Sequence, residues 1–93
     1  MNIKEFNRQI IPVLKRFGVK RASLFGSSAR GEDREESDID IIVEFEAGKS
    51  LLDLAGLKIE LEEALGRKVD LLTFNSLHPL LKDKILKEQK PIL

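Results

Sequence analysis

Leu24-Phe25-Gly26-Ser27-Ser28-Ala29-Arg30-Gly31, followed by Ser37-Asp38-Ile39-Asp40-Ile41-Ile42-Val43, ties a glycine-serine turn at the end of one apolar run to two carboxylates that open the next. Ten residues separate Ser27 from Asp38. With residue usage of about 5–7% at each fixed position, a chain of this length would show the spacing by accident on the order of once in a thousand. From Asp38 to about Phe45 the alternation is that of a strand. Ile39, Ile41, Val43 and Phe45 form one wholly apolar face, and Asp38, Asp40, Ile42 and Glu44 form the other.

The segments on either side fix how that strand must be used. Val19 to Phe25 reads as a strand leading into the turn, with Ala22 and Leu24 on one face and Ser23 and Phe25 on the other. Before it, Ile3, Phe6, Ile10, Val13, Leu14 and Phe17 recur at helical spacing up to Gly18. Pro12 predicts a kink or restart near Ile11, because proline removes a helix hydrogen bond and clashes with the preceding turn. Ser27 or Ser28 can cap a short helix through Arg30, and residues 31–36 form a polar loop. Leu54, Leu57, Leu61, Ala64 and Leu65 give another helical stripe ending at Gly66. Lys68 to Phe74 is a third strand, and Asn75 or Ser76 can cap a last helix with Pro79 in its first turn.

The order α-β-α-β-α-β-α predicts one α/β (α+β) domain over residues 1–93 with a small three-stranded mixed sheet. A helical crossover joins parallel neighbours, so strands two and three run the same way. Gly26 lies at the far end of strand one and reaches the sheet end of Asp38 only if strands one and two are antiparallel. Pro91-Ile92-Leu93 either folds back onto the sheet or meets another subunit.

Sixteen basic residues balance sixteen acidic ones, which leaves no bulk field to hold a long polyanion, so direct nucleic-acid binding is not expected. The absence of cysteine excludes disulfides, thiolate metal sites and thiol nucleophiles. With no long apolar run, neither a signal peptide nor a membrane span is expected, and the cytoplasm is the expected compartment.

The residues at the turn and strand suggest a chemistry. Asp38 and Asp40 emerge on one strand face with Cα atoms roughly 6.5 Å apart, and Asp70, near the start of the parallel neighbour, can join them from the side. Three crowded carboxylates repel unless a divalent cation bridges them. Magnesium favours carboxylates together with substrate phosphate. Two ions about 3.5–4 Å apart would stabilise both the entering and the leaving oxygen of an in-line displacement. Gly26 allows the backbone to approach a phosphate, Ser27 adds a hydroxyl, and the helix start behind them directs N–H groups at an anion. With a triphosphate docked there and its α-phosphate facing the acids, an incoming hydroxyl displaces pyrophosphate. The expected cofactor is therefore Mg2+, in two ions, with a nucleoside triphosphate as substrate; the residues alone do not choose its base.

On these residues the chain resembles the minimal nucleotidyltransferase family of the DNA polymerase beta-like superfamily. The family pattern, glycine-serine, ten residues, then Asp-x-Asp, is met by Gly26, Ser27, Asp38 and Asp40, with Asp70 at the position of the third acid. Arg30 and Gly31 match the family's Ala-Arg-Gly stretch. Arg30 is a candidate nucleotide contact, with a structural carboxylate as its alternative partner. The resemblance implies an antitoxin that transfers AMP from ATP to a tyrosine of a partner RNase of the HEPN type. The chain lacks the extra domains of larger relatives, so the acceptor site must come mostly from a partner.

Plainer readings accompany these. Asp70 could cap a loop or pair with Lys68 or Arg67, and Ser27 could be only a helix cap. His78 reads as a surface or capping residue. Glu44 reads as a solvated residue with a fourth ligand as the alternative. The competing functional reading is a binding module that silences its partner by covering it, as part of a homo- or hetero-oligomer.

Overall fold

The structure, a computed structural model, describes residues 3–26 and 38–93. The expected short helix after Ser27 and the polar loop after it lie outside the described residues. Helix α1 spans Ile3–Arg16 and buries Phe6, Ile10 and Leu14, three residues at i, i+4 and i+8 on one stripe. It runs through Pro12 without the expected restart. Pro12 and Arg8, whose carbonyl the proline leaves without its helical donor, are both exposed, so water can serve that oxygen while the buried face holds the helix together. Gly18 ends the segment at φ 74°, a left-handed turn that glycine adopts without a Cβ clash.

Strand β1 spans Val19–Leu24 and β2 spans Ile39–Phe45, and they pair antiparallel as expected. The register slips between Val19 and Arg21, so that two β1 residues face one of β2. That bulge lets Val19 and Ala22, an odd number of residues apart, both reach the core. Helix α2, Leu51–Leu65, crosses from β2 to β3, Val69–Thr73, and β3 pairs parallel with β2. Asp53 reaches back from the first turn of α2 and accepts the Ser50 backbone N–H at 2.8 Å, while Gly66 closes the other end with its N–H on the Glu62 carbonyl at 2.8 Å.

After a 3-10 turn at Phe74–Ser76, helix α3 spans Pro79–Glu88. Its cap is His78, in keeping with the surface or capping reading of that residue, and the cap expected at Asn75 or Ser76 is not used: Leu80 N–H donates to His78 Nδ1 at 3.2 Å. Ser76 instead donates its hydroxyl to the Thr73 carbonyl at 2.8 Å and closes the 3-10 turn.

The chain then adds β4, Lys90–Pro91, antiparallel to β1, so the sheet has four strands in the order β3-β2-β1-β4 and not the three expected. Two residues carry no readable strand period. What secures them is the neighbouring backbone, because Ala22 accepts from Ile92 N–H at 2.8 Å and from Leu93 N–H at 3.1 Å. Of the two placements open for Pro91-Ile92-Leu93, the structure takes the fold back onto the sheet.

Alpha helices α1 and α2 meet the sheet through Ala22, Leu24, Ile39, Ile41, Val43, Val69 and Leu71, with Leu57 and Leu61 from α2. Those of β1 and β2 lie on the faces read from the alternation. The opposite sheet face carries the register rows Ser23 to Ile42 to Leu72 and, one step toward the start of β2, Asp40 to Asp70. Among the described residues no helix is long and apolar enough to cross a membrane.

Candidate active site

The antiparallel pairing of β1 and β2 brings the exit of one strand to the entrance of the other. Phe25 N–H donates to the Asp40 carbonyl at 3.1 Å, one rung beyond the Leu24 to Ile41 pair. Gly26 follows at φ 59°, where L side chains are strained. A Cβ on Gly26 would stand 3.0 Å from Asp40 Oδ2, so the turn backbone lies directly against that carboxylate. The glycine thus serves two demands, a left-handed turn and contact with an acid.

On the other side of β2, Asp40 and Asp70 are register partners across the parallel pair. Adjacent strands lie about 4.8 Å apart, and parallel partners share a face, so both carboxylates leave the sheet together. Ile39 N–H donates to the Lys68 carbonyl at 2.9 Å, which fixes the start of β3 against the Asp-Ile-Asp segment. Asp38 is exposed just before β2, Asp40 is half-buried and Asp70 is exposed. Gly26, Asp38, Asp40 and Asp70 therefore gather at one end of the sheet. Ser27 and Arg30, the other two expected site residues, lie outside the described residues.

An all-carboxylate donor set has the hard-oxygen chemistry that magnesium takes. The side chains are not drawn into a closed cage, however: among the described residues no three His, Cys, Asp or Glu side chains group closely enough to hold a metal ion. Like charges on adjacent positions repel, and the two exposed members have room to turn apart. The backbone frame sets Asp40 beside Asp70 in register, with Asp38 two residues before Asp40.

Glu44 stands away from this end. It pairs with Arg21 at 4.0 Å, and the Arg21 guanidinium lies 4.3 Å from the centroid of the Phe74 ring. A cavity of about 510 Å³ between the β2–α2 loop and Thr73, Phe74 and Asn75 also opens at that opposite sheet end. Sequence reasoning passed over a second cleft, of about 530 Å³, lined by Lys58, Glu62, Gly66, Arg67 and Lys68 next to the start of β3. Its cations are spread over α2 and a turn, so no local motif marks them.

Comparison with known proteins agrees with this geometry. The family described as nucleotidyltransferase domain matches residues 3–92. A candidate protein adenylyltransferase of Methanocaldococcus jannaschii is 66% identical over 93 residues, all of both chains. The protein adenylyltransferase MntA of Thermococcus cleftensis is 45% identical over 74 residues, 80% of this chain and 75% of that one. Among solved structures, a candidate minimal nucleotidyltransferase superposes with a TM-score of 0.87 at 40% identity, covering 98% of this chain and 96% of the other. A toxin–antitoxin complex with AMP-PNP contains a chain that superposes with a TM-score of 0.82 at 26% identity, covering 100% and 73%.

The chain belongs to the nucleotidyltransferase domain family. Within it, this is an adenylyltransferase enzyme of the minimal nucleotidyltransferase kind.

Proposed function

We propose that this chain transfers AMP from ATP to a tyrosine hydroxyl of a HEPN-type toxin RNase and thereby acts as its antitoxin, with Asp38, Asp40 and Asp70 as the magnesium ligands. The observation that carries the reading is the contact of Gly26 with Asp40 on one side and the register of Asp40 with Asp70 on the other. The names of its relatives add to it, since they are protein adenylyltransferases, and one structural neighbour is a toxin–antitoxin complex with an ATP analogue.

In this reading Gly26 and Ser27 receive the β- and γ-phosphates through backbone N–H groups and a hydroxyl. The α-phosphorus then faces Asp38 and Asp40. The acceptor hydroxyl enters from the β3 side, where Asp70 takes its proton, and pyrophosphate leaves toward the turn. One P–O bond forms as one breaks. Magnesium, when bound, would neutralise the phosphate charge and the charge developing on the entering and leaving oxygens. Everything else is positioning by a rigid strand frame, which suits a reaction dominated by alignment and electrostatics.

The test is incubation with ATP, magnesium and the protein encoded beside this one, read by intact mass. The expected result is an increase by AMP units on that protein, absent for an Asp38→Asn, Asp40→Asn variant. An unmodified partner, or equal modification by the variant, would overturn the proposal.

A further inference from the structure

We propose that the cleft beside β3, lined by Lys58, Glu62, Gly66, Arg67 and Lys68, docks an acidic segment of the protein that carries the acceptor hydroxyl. The inference rests on the AMP-transfer reading and adds to it how the acceptor protein is recognised.

Position comes first. In the sheet order β3-β2-β1-β4, the Gly26 turn lies on one side of Asp40 and Asp70 on the other, and β3 is an edge strand. An in-line displacement sends the leaving group away from the entering one. With pyrophosphate departing on the β1 side, the acceptor must come in over the β3 edge. Lys68 stands two residues before Asp70, and its carbonyl is tied to Ile39 N–H at 2.9 Å, so its backbone is fixed relative to the acids. A protein that brings a hydroxyl to Asp70 over that edge meets Lys68 and the turn before β3, where the cleft begins.

Charge then selects the occupant. Three cationic side chains and one carboxylate line the cleft, in a chain whose total charge is zero. The carboxylate is already engaged, because Glu62 Oε2 accepts the Val69 N–H at 2.9 Å. Lys58 and Lys68 are exposed and present ammonium groups to whatever docks. An acidic protein surface complements this and is steered to it. A nucleic acid would need more phosphate contacts than so few cations on a neutral chain provide.

The test is the double charge reversal Lys58→Glu, Lys68→Glu, assayed with the protein encoded beside this one. The expected result is a KM for that protein raised about tenfold or more, with the KM for ATP and the kcat at saturating acceptor unchanged. Lys58→Arg, Lys68→Arg should behave as the wild type. In the wild type, hexaglutamate should compete with the protein acceptor and hexalysine should not, which reads the cleft even if the reversed variant does not fold. Calorimetric titration of the two proteins without nucleotide reads docking independently of chemistry. Loss of transfer by the wild type, with reversal still weakening binding about tenfold, would overturn the transfer reading alone. An unchanged acceptor KM and Kd in the reversed variant, or competition by a short RNA at lower concentration than hexaglutamate, would overturn the docking inference.

Discussion

Gly26 and Asp40 lie against each other: the backbone before the glycine donates to the Asp40 carbonyl at 3.1 Å, and a Cβ on the glycine would stand 3.0 Å from Asp40 Oδ2. One strand residue thus anchors the turn with its backbone and faces it with its side chain. A side chain in place of the glycine hydrogen would therefore press on the carboxylate.

Gly26→Ala tests that contact. The new methyl meets Asp40 Oδ2 at 3.0 Å in a backbone with φ 59°, so the carboxylate must give by a few tenths of an ångström and the turn is strained. Stability should fall by about 1 kcal/mol from the positive φ. AMP transfer should fall by far more, on the order of 100-fold, because in the proposed mechanism the misplaced carboxylate positions the cation that would stabilise charge in the transition state. Denaturant melts and initial rates measured on the same preparation separate the two effects.

Asp40 and Asp70 as register partners place two like charges side by side on adjacent strands. Directly opposed like charges are destabilising by roughly 0.2–1 kcal/mol. Asp70→Asn should therefore raise the stability of the metal-free protein by about that amount while AMP transfer drops at least about 100-fold. Adding magnesium should stabilise the wild type more than the variant. Thermal melts with and without magnesium, beside a transfer assay, check all three statements. A variant less stable than the wild type without metal would contradict the like-charge argument.

How far the sequence could be read depends on whether the physics is local. The apolar alternation of Ile39, Ile41 and Val43 and the helical stripe of Leu57 and Leu61 are period signals, and each proved to face the core. The antiparallel and parallel pairings followed from asking how Gly26 could reach Asp38 and which strands a helix joins. The uninterrupted α1 was not legible, because the proline penalty is local whereas the support from Phe6, Ile10 and Leu14 is tertiary. Nor was β4, whose two residues are held by the Ala22 backbone and not by any pattern of their own. His78 reads from the sequence as a surface or capping residue beside Asn75 and Ser76, and capping propensity alone could not choose among them without the 3-10 turn that claims residues 74–76. At the site, the backbone frame was readable from spacing, because strand alternation and a parallel register place Asp40 beside Asp70 whatever their side chains do.

Removal of residues 90–93 should expose β1 as a sheet edge. It deletes the bonds of Ile92 and Leu93 to Ala22 and the half-buried side chains that pack on the core. Partial burial of two aliphatic side chains plus the backbone bonds is worth about 2–4 kcal/mol. Urea denaturation should show a loss of that order. Light scattering should rise with concentration, because an unprotected edge offers a template for pairing between chains.

The acid limb of stability should carry a mark from Asp53. The Ser50 backbone N–H donates to Asp53 Oδ2 at 2.8 Å and is the largest influence holding this carboxyl below its ordinary 3.8; partial desolvation opposes it, and the Ser50 hydroxyl and the Lys49 charge reinforce it. A carboxyl with a lower value in the folded chain binds fewer protons there than in the unfolded one. Its contribution is complete above that ordinary value and disappears as pH falls through the folded value. Asp53→Asn keeps the side-chain volume and removes the titration. The variant should be less stable than the wild type at neutral pH, and the difference should shrink as pH drops below about 4. Urea midpoints at a series of pH values between neutrality and the acid transition measure this. A difference that stayed constant or grew toward low pH would show that the Ser50 bond does not favour the ionised carboxylate.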